Sequence, residues 1–218
     1  MTTRRGRPAQ VDAAEIADAV LAVGFRDLTF TAVAARLRIG QATLYRHAAN
    51  RDELVRLGLD LAISRVTWPS LDGPWSQVLR EWALAAWHAY AAHPGAAAEM
   101  SRGVLPHSVL RLSEGLGAML IGHGFRPADA VLAVDLVFDL AVDNRRGADD
   151  LALIQDDEVM RDRLAAPWPE PADGSPEAAI RAGMLHAFRA DPLDWFRGKL
   201  RVVLAGVAEE LAPGEARS

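Results

Sequence analysis

Apolar residues recur every three or four positions along almost the whole of this sequence, and no segment alternates apolar with polar as a half-buried strand would. Alanine is abundant throughout and adds the strongest intrinsic helix preference to that periodicity. An all-α fold is the expectation. A first helix over Val11 to Val23 sets Ala13, Ile16, Ala17, Val20 and Leu21 on one face and stops at Gly24. Thr29 is a natural N-cap for a short second helix with Val33, Ala34 and Leu37 turned inward.

Arg38, Ile39 and Gly40 interrupt the pattern, which resumes over Gln41 to His47 with Leu44 as core anchor. Short helix, tight turn, short helix is the helix-turn-helix arrangement. Asn50 and Glu53 then have the spacing of a capping box at the head of a fourth helix, Arg51 to Val66. Pro74 suits the first position of a fifth helix that ends near His93-Pro94-Gly95. Further helices are expected over Pro106 to Gly122, Pro127 to Asn144 and Asp149 to Ala165. The proline-rich stretch from Ala166 to Ser175 is expected to be a loop. Ser175-Pro176 and Asp191-Pro192 each join a capping residue to a first-turn proline and announce the last two helices.

Charge separates the chain into two parts. The first 51 residues hold eight arginines against four acids, +4, while the rest carries −9 of the formal net charge of −5. A basic head on an acidic body implies that the head alone meets a polyanion. With no cysteine, disulfide scaffolds, thiolate metal sites and cysteine nucleophiles are excluded. His88 and His93 lack the spacing that puts two metal ligands on one helical face. No phosphate loop, nucleophile elbow or zinc-protease motif occurs. Neither catalysis, a metal nor a cofactor is expected. The apolar runs are too short for a bilayer span and no signal-peptide core is visible, so a cytoplasmic protein is expected, with no membrane partner.

The run Leu28-Thr29-Phe30-Thr31-Ala32-Val33-Ala34-Ala35-Arg36-Leu37-Arg38-Ile39-Gly40-Gln41-Ala42-Thr43-Leu44-Tyr45-Arg46-His47, followed by Asn50-Arg51, resembles the DNA-binding domain of TetR-family transcriptional repressors. The Thr-Leu-Tyr-x-His core is the most specific part, and the match spans roughly residues 9 to 60. Departures from the family pattern are Arg38 in place of a turn glycine, Arg46 where an aromatic is common, and Ala48 where a large aromatic often packs. The resemblance implies a DNA-reading domain over residues 1–51 and a helical effector-binding and dimerisation domain over 52–218. It also implies a double-stranded operator, a small-molecule effector, a homodimer, and a pendulum role for helix four. By resemblance, Tyr45 and His47 clamp phosphates and Thr31 touches the backbone.

The same residues support that role on physical grounds. In a helix-turn-helix the second helix presents its N-terminal residues to base edges in the major groove. Gln41 can offer its amide to adenine, Ala42 a methyl surface to thymine, Thr43 a hydroxyl to base or phosphate, and Arg46 a guanidinium to guanine or phosphate. Arg51, at a helix start, suits phosphate. Arg5 and Arg7 have the composition of a minor-groove arm, or of an ordinary basic terminus. The competing role for Tyr45 is a packing aromatic.

In the body, apolar residues surround the axis of the helix from Pro127, which is expected to be largely buried, while Asp135, Asp139 and Asp143 recur along it. Those carboxylates call for arginines, a polar interface or a cationic ligand. The last helix has a second face of Gly198, Val202, Ala205 and Gly206 that suits close approach of another helix in a dimer. An apolar effector pocket is expected between the helices from Pro74, Pro106 and Pro127. Trp82, Trp87 and Met119 would line it, and His88, His107 and Asp139 would orient the ligand; core packing competes for each. The alternative to a regulator is an α-helical small-molecule-binding protein or enzyme bearing a vestigial helix-turn-helix.

Overall fold

The computed structural model describes residues 11–155 and 172–213 and, among them, ten α-helices and no strand. Arg5, Arg7 and most of the expected loop from Ala166 to Ser175 lie outside the described residues. The chain forms two compact units. One gathers the described residues up to Val66 with His93–Arg111, and the other Thr67–Ala92 with those from Leu112 onward. The division of labour expected at residues 51/52 is thus not a division of packing, because the whole fourth helix packs with the first three.

In the first unit, α1 (Ala13–Val23) starts on a reciprocal cap between Asp12 and Glu15 and stops at Gly24, whose φ of 87° continues no helix. Thr29 accepts from the Ala32 amide at the head of α2 (Phe30–Leu37). Next come α3 (Gln41–Leu44), anchored by fully buried Leu44, and α4 (Arg51–Ser64), capped by Asn50. Glu53 reaches back beyond Asn50 to the amide of Ala49. Arg38 stands in the left-handed region at φ 55°, ψ 39°, the conformation a glycine adopts without the Cβ clash. The main packing contact joins α1 to α4. There Gly58 has no side chain because there is no room for one: a Cβ would lie 2.4 Å from Val20 Cγ1 and 3.3 Å from a ring carbon of Phe25. A six-residue helix that the sequence pattern does not announce, α6 (Ala96–Ser101), completes this unit.

The second unit is built on α5 (Trp75–Ala91), α8 (Pro127–Gln155) and α10 (Pro192–Glu210), with α7 (His107–Gly122) contributing from Leu112 and α9 (Pro176–Arg189) before α10. Asp191 caps α10 by accepting from the amides of Leu193 and Asp194. Two expectations for α8 are corrected. It does not end at Asn144 but runs on through Gly147, where Arg145 pairs with Asp149, and Arg146 with Asp143 and Asp150, one turn away on either side. Nor is it buried all round. Val134, Val137 and Ala141 face the core, while Val131, Leu132 and Leu136 are exposed, Val131 to 67%.

Candidate nucleic-acid interface and effector cleft

Helix α3, which ends at Leu44 and not at His47, carries an outward group together with the turn that follows it. Gln41, Ala42, Tyr45, Arg46 and His47 are exposed, and Thr43 is half-buried, while Leu44 and Ala48 turn inward and hold the helix to the core. Gln41 Nε2 donates to Thr31 Oγ1 at 2.9 Å, linking the first turns of α3 and α2. Arg46 donates to Thr43 Oγ1 at 3.3 Å. Tyr45, 52% exposed, stacks on Phe30 with centroids 4.2 Å apart and planes at 10°. Its ring therefore packs, as the competing reading has it, but on a surface aromatic that leaves the residue open to a ligand.

Arg51 takes a different place from the one its position at a helix start suggests. Its Nη1 and Nη2 donate to the two carboxylate oxygens of buried Glu99 at 2.9 and 2.7 Å. Nε and Nη2 reach the carbonyls of Leu28 and Phe25 at 3.2 and 3.3 Å. Four donor contacts directed inward leave the expected phosphate role little to work with, and the pairing with Glu99 holds the guanidinium above its ordinary pKa. Further along α4, Arg56 donates to the Leu105 carbonyl, and Asp60 accepts from the amide and hydroxyl of Ser108 at 2.8 and 2.6 Å. Helix α4 is thus tied along its length to residues 99–108, a seam that sequence spacing cannot reveal.

In the second unit two of the expected effector contacts are occupied by packing. Trp82 stacks on Trp68 and donates to the Ser70 carbonyl. Trp87 donates to Asn144 Oδ1 at 3.0 Å, stacks near Phe196, and lies under the Arg145 guanidinium at 4.8 Å. Met119 is half-buried and His88 is exposed, while His107 belongs to the other unit. Asp139 is exposed on α8, and desolvation together with the charges of Asp135 and Asp143 raises its carboxyl pKa. A cleft of about 370 Å³ opens instead between the C-terminal half of α8, the end of α9 and the start of α10. Leu151, Met184, Phe188, Pro192 and Trp195 line it, with Asn144, Arg146 and Lys199 among its polar groups. Gly198, Val202, Ala205 and Gly206 are exposed on α10, and nothing lies within 4 Å of a Cβ built on either glycine.

Among the described residues no helix is long and apolar enough to cross a membrane. Comparison with known proteins gives a family match over the reading helices: residues 13–57 fit the model for bacterial regulatory proteins of the tetR family. No curated protein sequence matches significantly. Among solved structures, the TetR family protein ActR of Streptomyces coelicolor in complex with actinorhodin is 23% identical, with a TM-score of 0.78 over 95% of this chain and 99% of that one. Mycobacterium smegmatis BioQ is 19% identical, with a TM-score of 0.69 over 91% and 98%. A TetR variant from Acinetobacter baumannii in complex with minocycline is 21% identical, with a TM-score of 0.67 over 93% and 99%. The fold is shared over nearly the whole chain, and the family's own DNA-binding domain sits on the helices that carry Thr31 and Gln41. Residues 13–57 thus carry the N-terminal domain of the tetR family of bacterial regulatory proteins, and the chain as a whole has the fold of solved TetR-family structures.

Proposed function

We propose that this protein is a repressor that binds a palindromic operator as a homodimer and releases it when a small organic effector occupies the second unit. The observation that carries the DNA-reading role is the outward group on α3 and the turn after it, with Gln41, Ala42, Thr43, Tyr45, Arg46 and His47 presented together above a buried Leu44. Thr31 adds a contact from α2. Gln41 reads an adenine, and Arg46, Tyr45 and His47 meet base or phosphate beside it. The dimer is supported by the uncovered faces of α8 and α10. Exposed Val131, Leu132 and Leu136 on one, and Gly198, Val202, Ala205 and Gly206 on the other, need a second surface, and a two-fold copy supplies it.

The effector site is the cleft between α8, α9 and α10. Its apolar wall suits a hydrophobic or aromatic body, and Lys199, which has no ion-pair partner among the described residues, suits an anionic group on that body. Similar structures hold actinorhodin in one case and minocycline in another, which supports a small organic effector here. The seam between α4 and residues 99–108 supports α4 as the part that passes a displacement to the reading helices.

Recovery of genomic fragments by the purified full chain, followed by competition against random duplex at moderate salt, tests the reading. A short palindrome preferred at least about a thousandfold over random DNA is expected. Equal affinity for all duplexes would sink it. A compound that binds the second unit yet leaves operator affinity unchanged would remove the effector-release step.

A further inference from the structure

We propose that Thr31 is a specificity-determining residue: its hydroxyl, by donating to a DNA phosphate, turns the Gln41 amide to the face that reads adenine. The inference rests on α3 entering the major groove, as proposed above. Thr31 lies in the first turn of α2 and Gln41 opens α3; both are exposed, and Gln41 Nε2 lies 2.9 Å from Thr31 Oγ1. In a helix-turn-helix the first helix crosses the sugar-phosphate backbone while the second enters the groove. A residue in the first turn of α2 that also touches the first residue of α3 therefore lies between phosphate and base.

A hydroxyl has one proton and two lone pairs. In the free protein that proton can go to the oxygen of the Gln41 amide, or the oxygen can accept from its nitrogen, so both orientations of the amide find a partner in Thr31. On DNA the proton goes to phosphate. Thr31 Oγ1 can then only accept, the amide nitrogen must face it, and the orientation with Nε2 toward Thr31 is the one that remains. One N–H of Nε2 is used in that bond. The other N–H and Oε1 are left as one donor and one acceptor, the complement of adenine N7 and N6 in the major groove. A contact with phosphate, which carries no sequence information of its own, thereby becomes part of base recognition.

The test uses the full chain and a duplex library to define the preferred site, then measures affinity for all four base pairs at each position. Wild type, Thr31→Val, Thr31→Ser and Gln41→Ala are compared. Thr31→Val keeps the shape and removes the hydroxyl. It should lower the preference for adenine about tenfold at the same base pair in each half-site that Gln41→Ala affects, leaving the other positions unchanged. Thr31→Ser should retain the preference. Adding Thr31→Val to Gln41→Ala should produce no further change in base preference. The proposal is overturned if Thr31→Val weakens every duplex by one factor, since Thr31 would then be a phosphate contact only, or if its altered base pair differs from that of Gln41→Ala. A wild-type protein without any sequence preference would bring down the DNA-reading role itself, a result separable from these. Melting curves on the variants exclude misfolding, which exposed positions should not cause.

Discussion

The two units differ in how much apolar surface they leave uncovered. In the first, charged and polar groups are matched inside the unit: Arg51 with Glu99, Asp60 with Ser108, Arg65 with Asp18. In the second, large apolar side chains are left uncovered on four helices, Ile121 on α7 among them. They include Val131, Leu132 and Leu136 on α8, Ile180, Met184, Leu185 and Phe188 on α9, and Trp195 and Val202 on α10. Helix α9 buries no residue at all. The first unit leaves just Tyr45, Leu105 and Leu110 uncovered among its described large apolar side chains, so it is the more nearly finished of the two. Under the function proposed above, recognition of DNA rests on the more finished framework, and assembly and ligand binding on the unfinished one.

The largest expected effect comes from breaking the unfinished side. Gly198→Leu and Gly206→Leu place a bulky side chain on the open face of α10, where the single chain has room for it. Each protomer should stay folded while sedimentation reports monomer and operator affinity falls by two orders of magnitude or more, about 3 kcal/mol. A stable dimer in both variants would move the interface elsewhere.

The more finished side breaks at its buried ion pair. Glu99→Ala leaves the Arg51 guanidinium against the Phe25 and Leu28 carbonyls without its counter-charge. Because 33% of the Arg51 side chain still meets water, chemical denaturation should show a loss of about 2 kcal/mol, below the range for a fully enclosed pair. Arg65→Ala, which removes an exposed pair with Asp18, should cost under about 1 kcal/mol. Equal losses would erase the distinction between the seam and the surface. At Gly58, alanine should cost about 1 kcal/mol net, since overpacking against Val20 and Phe25 exceeds the gain in helix preference. An unchanged melting temperature would mean that α1 and α4 can separate freely.

The smallest effect is a pH dependence confined to the first unit. His93 packs edge-on against Phe25, and burial, followed by the charge of Arg65, lowers its pKa from the ordinary value of 6.5. A base with a depressed folded pKa takes up its proton more readily in the unfolded chain. Its stabilising contribution is complete above about pH 6.5 and declines as the pH falls below that value. Thermal melts between pH 7.5 and 5.5 should show this decline, and His93→Gln should flatten it. A slope that survives the substitution would assign the effect to other groups.

What was legible in the sequence was local. Thr29, Asn50, Ser175 and Asp191 cap their helices as their spacing suggests, because a cap is decided within four residues. Leu44 is the buried anchor between two exposed stretches for the same reason. The misplaced residues depend on partners far along the chain. Arg51 looks like a phosphate contact until Glu99, 48 residues on, is seen beside it. Trp87 looks like pocket lining until Asn144 and Phe196 take its edge and face. The continuity of α8 was hidden by Gly147, whose weak helix preference is offset by ion pairs that bracket it.

That continuity has a mechanical consequence. At 1.5 Å per residue, the 29 residues of α8 make a rod of about 43 Å. Its early turns present Val131, Leu132 and Leu136, and its later turns, from Asp143 to Leu151, form one wall of the cleft. A hinge between these stretches would let each adapt alone. An unbroken helix acts as a lever: under the function proposed above, a guest that tilts the cleft wall would also swing the uncovered face, and the angle at which a second copy seats would become a readout of occupancy.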